Sequence, residues 1–107
     1  VLDVPPAEII GHTESAIDST HSIIMEDVDM MPEIMPGDVL TYTTAQKPID
    51  GDLVVAQEES GRTVIRRLYQ FGRIVSLIAV NPSSVPLCGY TDQIHVKGRI
   101  TRLERRV

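Results

Sequence analysis

Gly51-Asp52-Leu53-Val54-Val55-Ala56-Gln57, followed after a polar turn by Arg62-Thr63-Val64-Ile65-Arg66-Arg67-Leu68-Tyr69, decides the fold class. Both runs are short, rich in β-branched residues and bounded by glycines at 51, 61 and 72, the composition of strands joined by tight turns. Working outward, similar runs recur from Ser22 to Met25, Asp38 to Thr43, Arg73 to Val80 and Ile94 to Glu104. Gly37, Asn81-Pro82 and Pro86 punctuate them, where a positive or fixed φ is useful. Short strands at this spacing predict a mainly β domain, a compact barrel or sandwich-like sheet, rather than alternating β and α units. Only Met30 to Met35 has room for one helical turn, with Asp29 available as its N-cap.

In the last run Ile94, Val96 and Ile100 alternate with His95, Lys97, Arg99 and Thr101, while Gly98 falls on the apolar side and Leu103 is out of phase. A bulge or bend between Gly98 and Arg102 is expected, and a strand so near the chain end is expected at a sheet edge. An open edge invites a partner. The candidate self-association residues are therefore Ile94, Val96, Arg99, Ile100 and Arg102, joined by Met31 as an exposed methionine.

Residues 1–21 are polar, with Pro5-Pro6 and Gly11, and show neither a helical face nor sustained alternation. They read as a leading arm or linker, with the domain proper at 22–107. Val1 is not a methionine and no signal-peptide pattern follows it, so the chain is expected to be a piece of something longer. At 107 residues and 42% hydrophobic, there is material for one domain with its own core. No apolar stretch approaches the roughly 20 residues that cross a bilayer, so no membrane partner is expected. Cys88 is the only cysteine, which excludes an internal disulfide and fits a cytoplasmic home in a bacterial cell. It is expected to be a small, partly buried apolar residue rather than a reactive thiol.

A net charge of −5 argues against direct binding of nucleic acid. The charge is unevenly divided: 13 of the 15 acids lie at or before Gly61, and 9 of the 10 lysines and arginines lie after it. Pairing between facing strands of one molecule is the simpler outcome; an acidic face meeting a basic face of another subunit is the alternative. His12, His21 and His95 lack metal-ligand spacing, and an arginine near Glu26, Asp27, Asp29 and Asp38 would compete with a cation. No metal or cofactor is expected.

Asp29-Met30-Met31-Pro32, Gly37-Asp38, Gly51-Asp52-Leu53-Val54-Val55, Val64-Ile65-Arg66-Arg67-Leu68 and Asn81-Pro82 also arrive in a familiar order and spacing. From about Ser22 onward the chain resembles the Ser/Lys self-cleaving domains of LexA and phage CI-type repressors, and the UmuD mutagenesis subunit. Within that family it resembles the immunity repressor of a temperate phage related to P2. The resemblance implies curved antiparallel sheets of the LexA and signal-peptidase kind and self-association into dimers and higher oligomers. It also implies an N-terminal helix-turn-helix domain through which operator DNA is bound.

In the family pattern Asp29 would be the nucleophilic serine and Arg66 the lysine that acts as its base. Such a dyad needs a lysine driven to its neutral form so that it can accept the hydroxyl proton. Arginine does not give up its proton inside a protein, and an aspartate beside it stays ionised. An ion pair between Asp29 and Arg66 is expected, and no catalytic residue. Asp27-Val28 stands where the family has Gly-Asp, and the family's cleavage site lies farther upstream than the 28 residues before Asp29. The resemblance thus implies a non-enzymatic oligomerisation domain of a repressor, switched off by an antirepressor protein rather than by cleavage. The alternatives are a UmuD-like subunit docking on a DNA polymerase and a self-processing peptidase with a non-standard dyad.

Overall fold

The computed structural model describes residues 2–4, as backbone, and 19–105. Among these residues there are eight strands: β1 (Leu2–Val4), β2 (Thr20–Ile24), β3 (Val39–Thr43), β4 (Leu53–Gln57), β5 (Thr63–Phe71), β6 (Ile74–Ile78), β7 (Leu87–Tyr90) and β8 (His95–Glu104). They form one antiparallel sheet in the order β1-β2-β3-β8-β4-β5-β6-β7. The mainly β expectation holds. Two strands had no counterpart in the sequence reading: β1, inside the residues taken as a leading arm, and β7, inside the Pro86 and Gly89 segment. The rest of that arm, 5–18, lies outside the described residues.

Strand β8 corrects a second expectation. It is not an edge; it lies between β3 and β4 and pairs with both. Proximity to the chain end says nothing about order within a sheet, because non-local register sets that order. The charged residues that read as edge protection sit on a strand whose two sides are already occupied. The expected irregularity is present, and a second one lies just before it at Lys97. Against β3, Arg102 faces Thr41 and Ile100 faces Tyr42, leaving Thr101 as an extra residue. Against β4, Gly98 faces Val55 and Val96 faces Ala56, leaving Lys97 extra. The first bulge brings the out-of-phase Leu103 opposite Leu40. A Cβ on Gly98 would lie 2.8 Å from Tyr42 Cδ2 and overlap the Thr43 carbonyl, so only glycine lets β8 approach β3 this closely.

Strands β4 and β5 are covered on both faces, which explains why their cores read as continuous apolar runs. Val54, Ala56, Val64 and Leu68 join Val75, Leu77 and Ile94 in one cluster. Val55 and Ile65 join Ile23, Met25, Met30, Ile34, Leu40 and Tyr42 in the other. Each cluster removes from water side chains worth about 1.5–3 kcal/mol apiece on burial. The turn after β2 is a single helical turn, closed by a bond from Ile34 N to Met30 O of 2.9 Å. Its buried Met30 and Ile34 anchor the preceding Asp29 against the sheet. Among the described residues no helix is long and apolar enough to cross a membrane.

Candidate functional site

Asp29 and Arg66 come together where the turn after β2 meets the middle of β5. By strand alternation Arg66 shares a face with Val64 and Leu68, and only 3% of it is exposed. Its Nη2 donates to Asp29 Oδ2 at 2.7 Å, and its Nη1 donates to the Val85 carbonyl at 3.3 Å. The expected ion pair is formed. Arg66 Nε is buried without a partner. Arg62, one turn of alternation away on the same face, brings a second guanidinium to 3.6 Å from Asp29 Oδ2.

The connection between β6 and β7 completes the site. Asn81 N donates to the Asp29 carbonyl at 2.8 Å and Asn81 Nδ2 to the Val28 carbonyl at 3.2 Å, which fastens this loop to the turn. Ser84 N bonds back to Asn81 O, a compact turn that carries the Ser84 hydroxyl to Asp29 Oδ1 at 2.7 Å. Asp29 itself does not cap the helical turn: its carboxylate is held by Ser84 and Arg66, and its own N–H donates to Asp27 Oδ1 at 3.1 Å. Burial alone would raise the Asp29 pKa. The Ser84 bond, the Arg66 bond and charge, and the Arg62 charge together outweigh it and hold the carboxyl below its ordinary 3.8. The carboxylate is therefore a weakened base, and the nearest hydroxyl is already donating to it.

A second pair lies at the start of β3. Asp38, read from the sequence as a strand-start turn residue, is 2% exposed and accepts from Met35 N at 2.9 Å. Arg105 grips it bidentately, Nε to Oδ1 at 3.0 Å and Nη2 to Oδ2 at 2.9 Å, while staying half exposed itself. The Arg105 bonds outweigh burial and lower the Asp38 pKa, with the Met35 N–H adding to them. Elsewhere Arg67 pairs with Glu33 and donates to the Gly51 carbonyl at 2.6 Å, and Arg99 reaches Asp52 at 3.4 Å. All of these pairs join an acid before Gly61 to a base after it. The uneven charge is spent largely within one molecule.

The candidate self-association residues do not share a surface. Ile94 is buried in the cluster that Val96 flanks, whereas Ile100 packs against the opposite cluster. Arg99 is engaged with Asp52 and Gln46, Arg102 lies in solvent 3.2 Å from Glu104, and Met31 is half buried. Cys88, expected to be partly buried, is exposed on β7, with its Sγ 3.3 Å from Ser76 Oγ. Sequence reasoning missed Ser84. The turn chemistry of Asn81-Pro82-Ser83-Ser84 was the available signal, but which side chain it would meet depends on a contact 55 positions away.

The peptidase S24-like family profile matches residues 8–101. The chain belongs to the peptidase S24-like family. A LexA repressor of Ruegeria sp. (strain TM1040) is 37% identical over 73 residues, 67% of this chain and 30% of that protein. The match therefore spans less than a third of the repressor's length. The S24-like assignment and the all-strand sheet agree on a LexA- and UmuD-type C-terminal fold. It makes this a repressor-related or peptidase-fold domain, with Asp29 and Arg66 facing each other where the turn after β2 meets β5.

Proposed function

We propose that this S24-like domain is a non-cleaving oligomerisation module of a transcriptional repressor. The observation that carries the reading is the 2.7 Å ion pair between Asp29 and Arg66, sealed by Ser84 and the Val85 carbonyl. Nothing there can take a proton from a serine: the carboxylate is held ionised, and the cation beside it is a guanidinium. What survives in such a domain is the scaffold. In a whole repressor it would tether helix-turn-helix domains, so that one bound half-site presents the second at up to millimolar effective concentration. Operator contact would fall to those domains, consistent with the net charge of −5 here. Without self-cleavage, inactivation would come from an antirepressor protein in the cytoplasm of the host cell.

Two measurements test this. Sedimentation velocity over a wide concentration range should show dimers growing into larger closed species; a strict monomer would sink the oligomerisation role. Because most acid and base partners meet inside one molecule, assembly should depend only weakly on salt. Intact mass after prolonged alkaline incubation of the longer protein should stay unchanged, and fragments ending upstream of Asp29 would restore the peptidase alternative.

A further inference from the structure

The strand register places six side chains on the outer face of β5, β6 and β7. Tyr69 lies opposite Ser76 and Ser76 opposite Cys88; Phe71 lies opposite Ile74 and Ile74 opposite Tyr90. The reverse face carries Leu68, Leu77 and Leu87 and closes one of the two cores. An outward face of this kind ordinarily alternates to polar residues. Here Phe71 is 87% exposed, and Tyr69, Ile74 and Tyr90 are roughly half exposed beside it. Together they present on the order of 400–500 Å² of apolar surface, judged from the area an aromatic side chain carries. The largest apolar patch on a soluble monomer is typically of about this size and is often functional.

We infer that this outer face is where two copies of the chain meet about a two-fold axis. The inference rests on the self-association proposed above and names its surface. Two features favour a second copy over a different partner. Phe71 projects beside a hollow of about 260 Å³ lined by Asp50, Tyr69, Gln70, Phe71, Ile74 and Ser76. Knob and hollow in one patch are what an isologous contact requires, each Phe71 entering the other copy's hollow. The rim carries both signs: Arg73 in the β5–β6 turn is tied through its carbonyl to Thr91 N, next to Asp92. Among the described residues neither Arg73 nor Asp92 forms an ion pair. A partner of one charge would be met by a rim of one charge, whereas mixed signs suit a copy turned by half a revolution. The apolar face falls short of the about 800 Å² that each side of a standard interface buries. The rim and the unpaired outer side of β7 border it and supply further contact.

The experiment compares wild type, Phe71→Asp and Val85→Asp by sedimentation velocity, with thermal melts to confirm folding. Val85 is another exposed apolar residue, in the β6–β7 connection at the end of β6 away from Phe71, and controls for the added charge. Phe71→Asp should weaken the dimer at least about tenfold, the loss typical of a central anchor residue, and Val85→Asp should leave it unchanged. Hydrogen exchange of wild type at low and high concentration provides a readout that needs no variant. Amides of Phe71 to Ile74 and of β7 should gain protection as concentration rises. Wild-type assembly with an unaffected Phe71→Asp variant, or with no protection in β7, overturns this surface and leaves the repressor-module reading standing. A wild type that stays monomeric overturns both.

Discussion

The two carboxylate–arginine pairs of this domain are mirror images. At Asp29–Arg66 the cation is the buried partner and the carboxylate lies nearer water, 3% against 15% exposed. At Asp38–Arg105 the anion is buried and the cation stands in solvent, 2% against 49%. Bond lengths differ little, yet the consequences of losing a partner differ greatly. A stranded carboxylate can take up a proton and become neutral; a stranded guanidinium cannot. Losing Asp29 therefore strands a charge that cannot be neutralised, whereas losing Arg105 strands one that acid can neutralise.

The largest effect should follow Asp29→Ala, which leaves Arg66 charged, buried and facing only the Val85 carbonyl. Breaking a buried pair from one side costs about 3–5 kcal/mol, and water near Asp29 argues for the lower end. In a domain of this size, that is a drop in Tm of more than about 10 °C, read by thermal or urea denaturation. A loss below about 1 kcal/mol would mean that Arg66 finds another partner and that the comparison is wrong. Replacing both partners, Asp29→Leu with Arg66→Met, should recover most of that loss, since apolar substitutes for a buried pair are often neutral. Failure to recover would assign the stability to Ser84 and the loop it anchors rather than to the charges.

The smallest and most diagnostic change is Arg105→Gln. Both Asp29 and Asp38 have folded pKa values lowered from 3.8, so the stability they contribute is complete above that pH and is lost as pH falls through the lowered values. Removing Arg105 takes away the main cause of lowering at Asp38. The variant should melt below wild type at neutral pH, and the gap should close only as pH falls below 3.8 and through the lowered Asp38 value. A gap that persists there would show that Arg105 acts through packing rather than through charge.

The strands and turns of this domain were readable because they depend on neighbours in sequence. Gly37, Gly51, Gly61 and Gly72 all adopt positive φ in the turns assigned to them. The Asp29–Arg66 contact was readable for a different reason: the resemblance implied that the two positions face each other, and an aspartate facing an arginine forms an ion pair. The position of β8 was not readable, because its neighbours are chosen by pairing with residues 38 to 65 positions away. Strand β7 escaped notice because Leu87-Cys88-Gly89-Tyr90 is short and follows a proline-rich turn whose signal dominates the segment. The aromatic face of β5 to β7 was invisible for the same reason, since without β7 the residues Phe71, Ile74 and Tyr90 have no shared plane.

The central place of β8 bears on how the domain is made. Strands β1 to β3 form one antiparallel ribbon and β4 to β7 another, and β8 is the strand hydrogen-bonded to both. During synthesis the residues of both ribbons precede those of β8. Pairing within each ribbon is the more local, so the late insertion of one strand between two waiting edges is the step expected to be slow. In that interval β3 and β4 each expose an unsatisfied backbone, and whatever shortens or delays β8 would leave two half-sheets competing to pair with other chains.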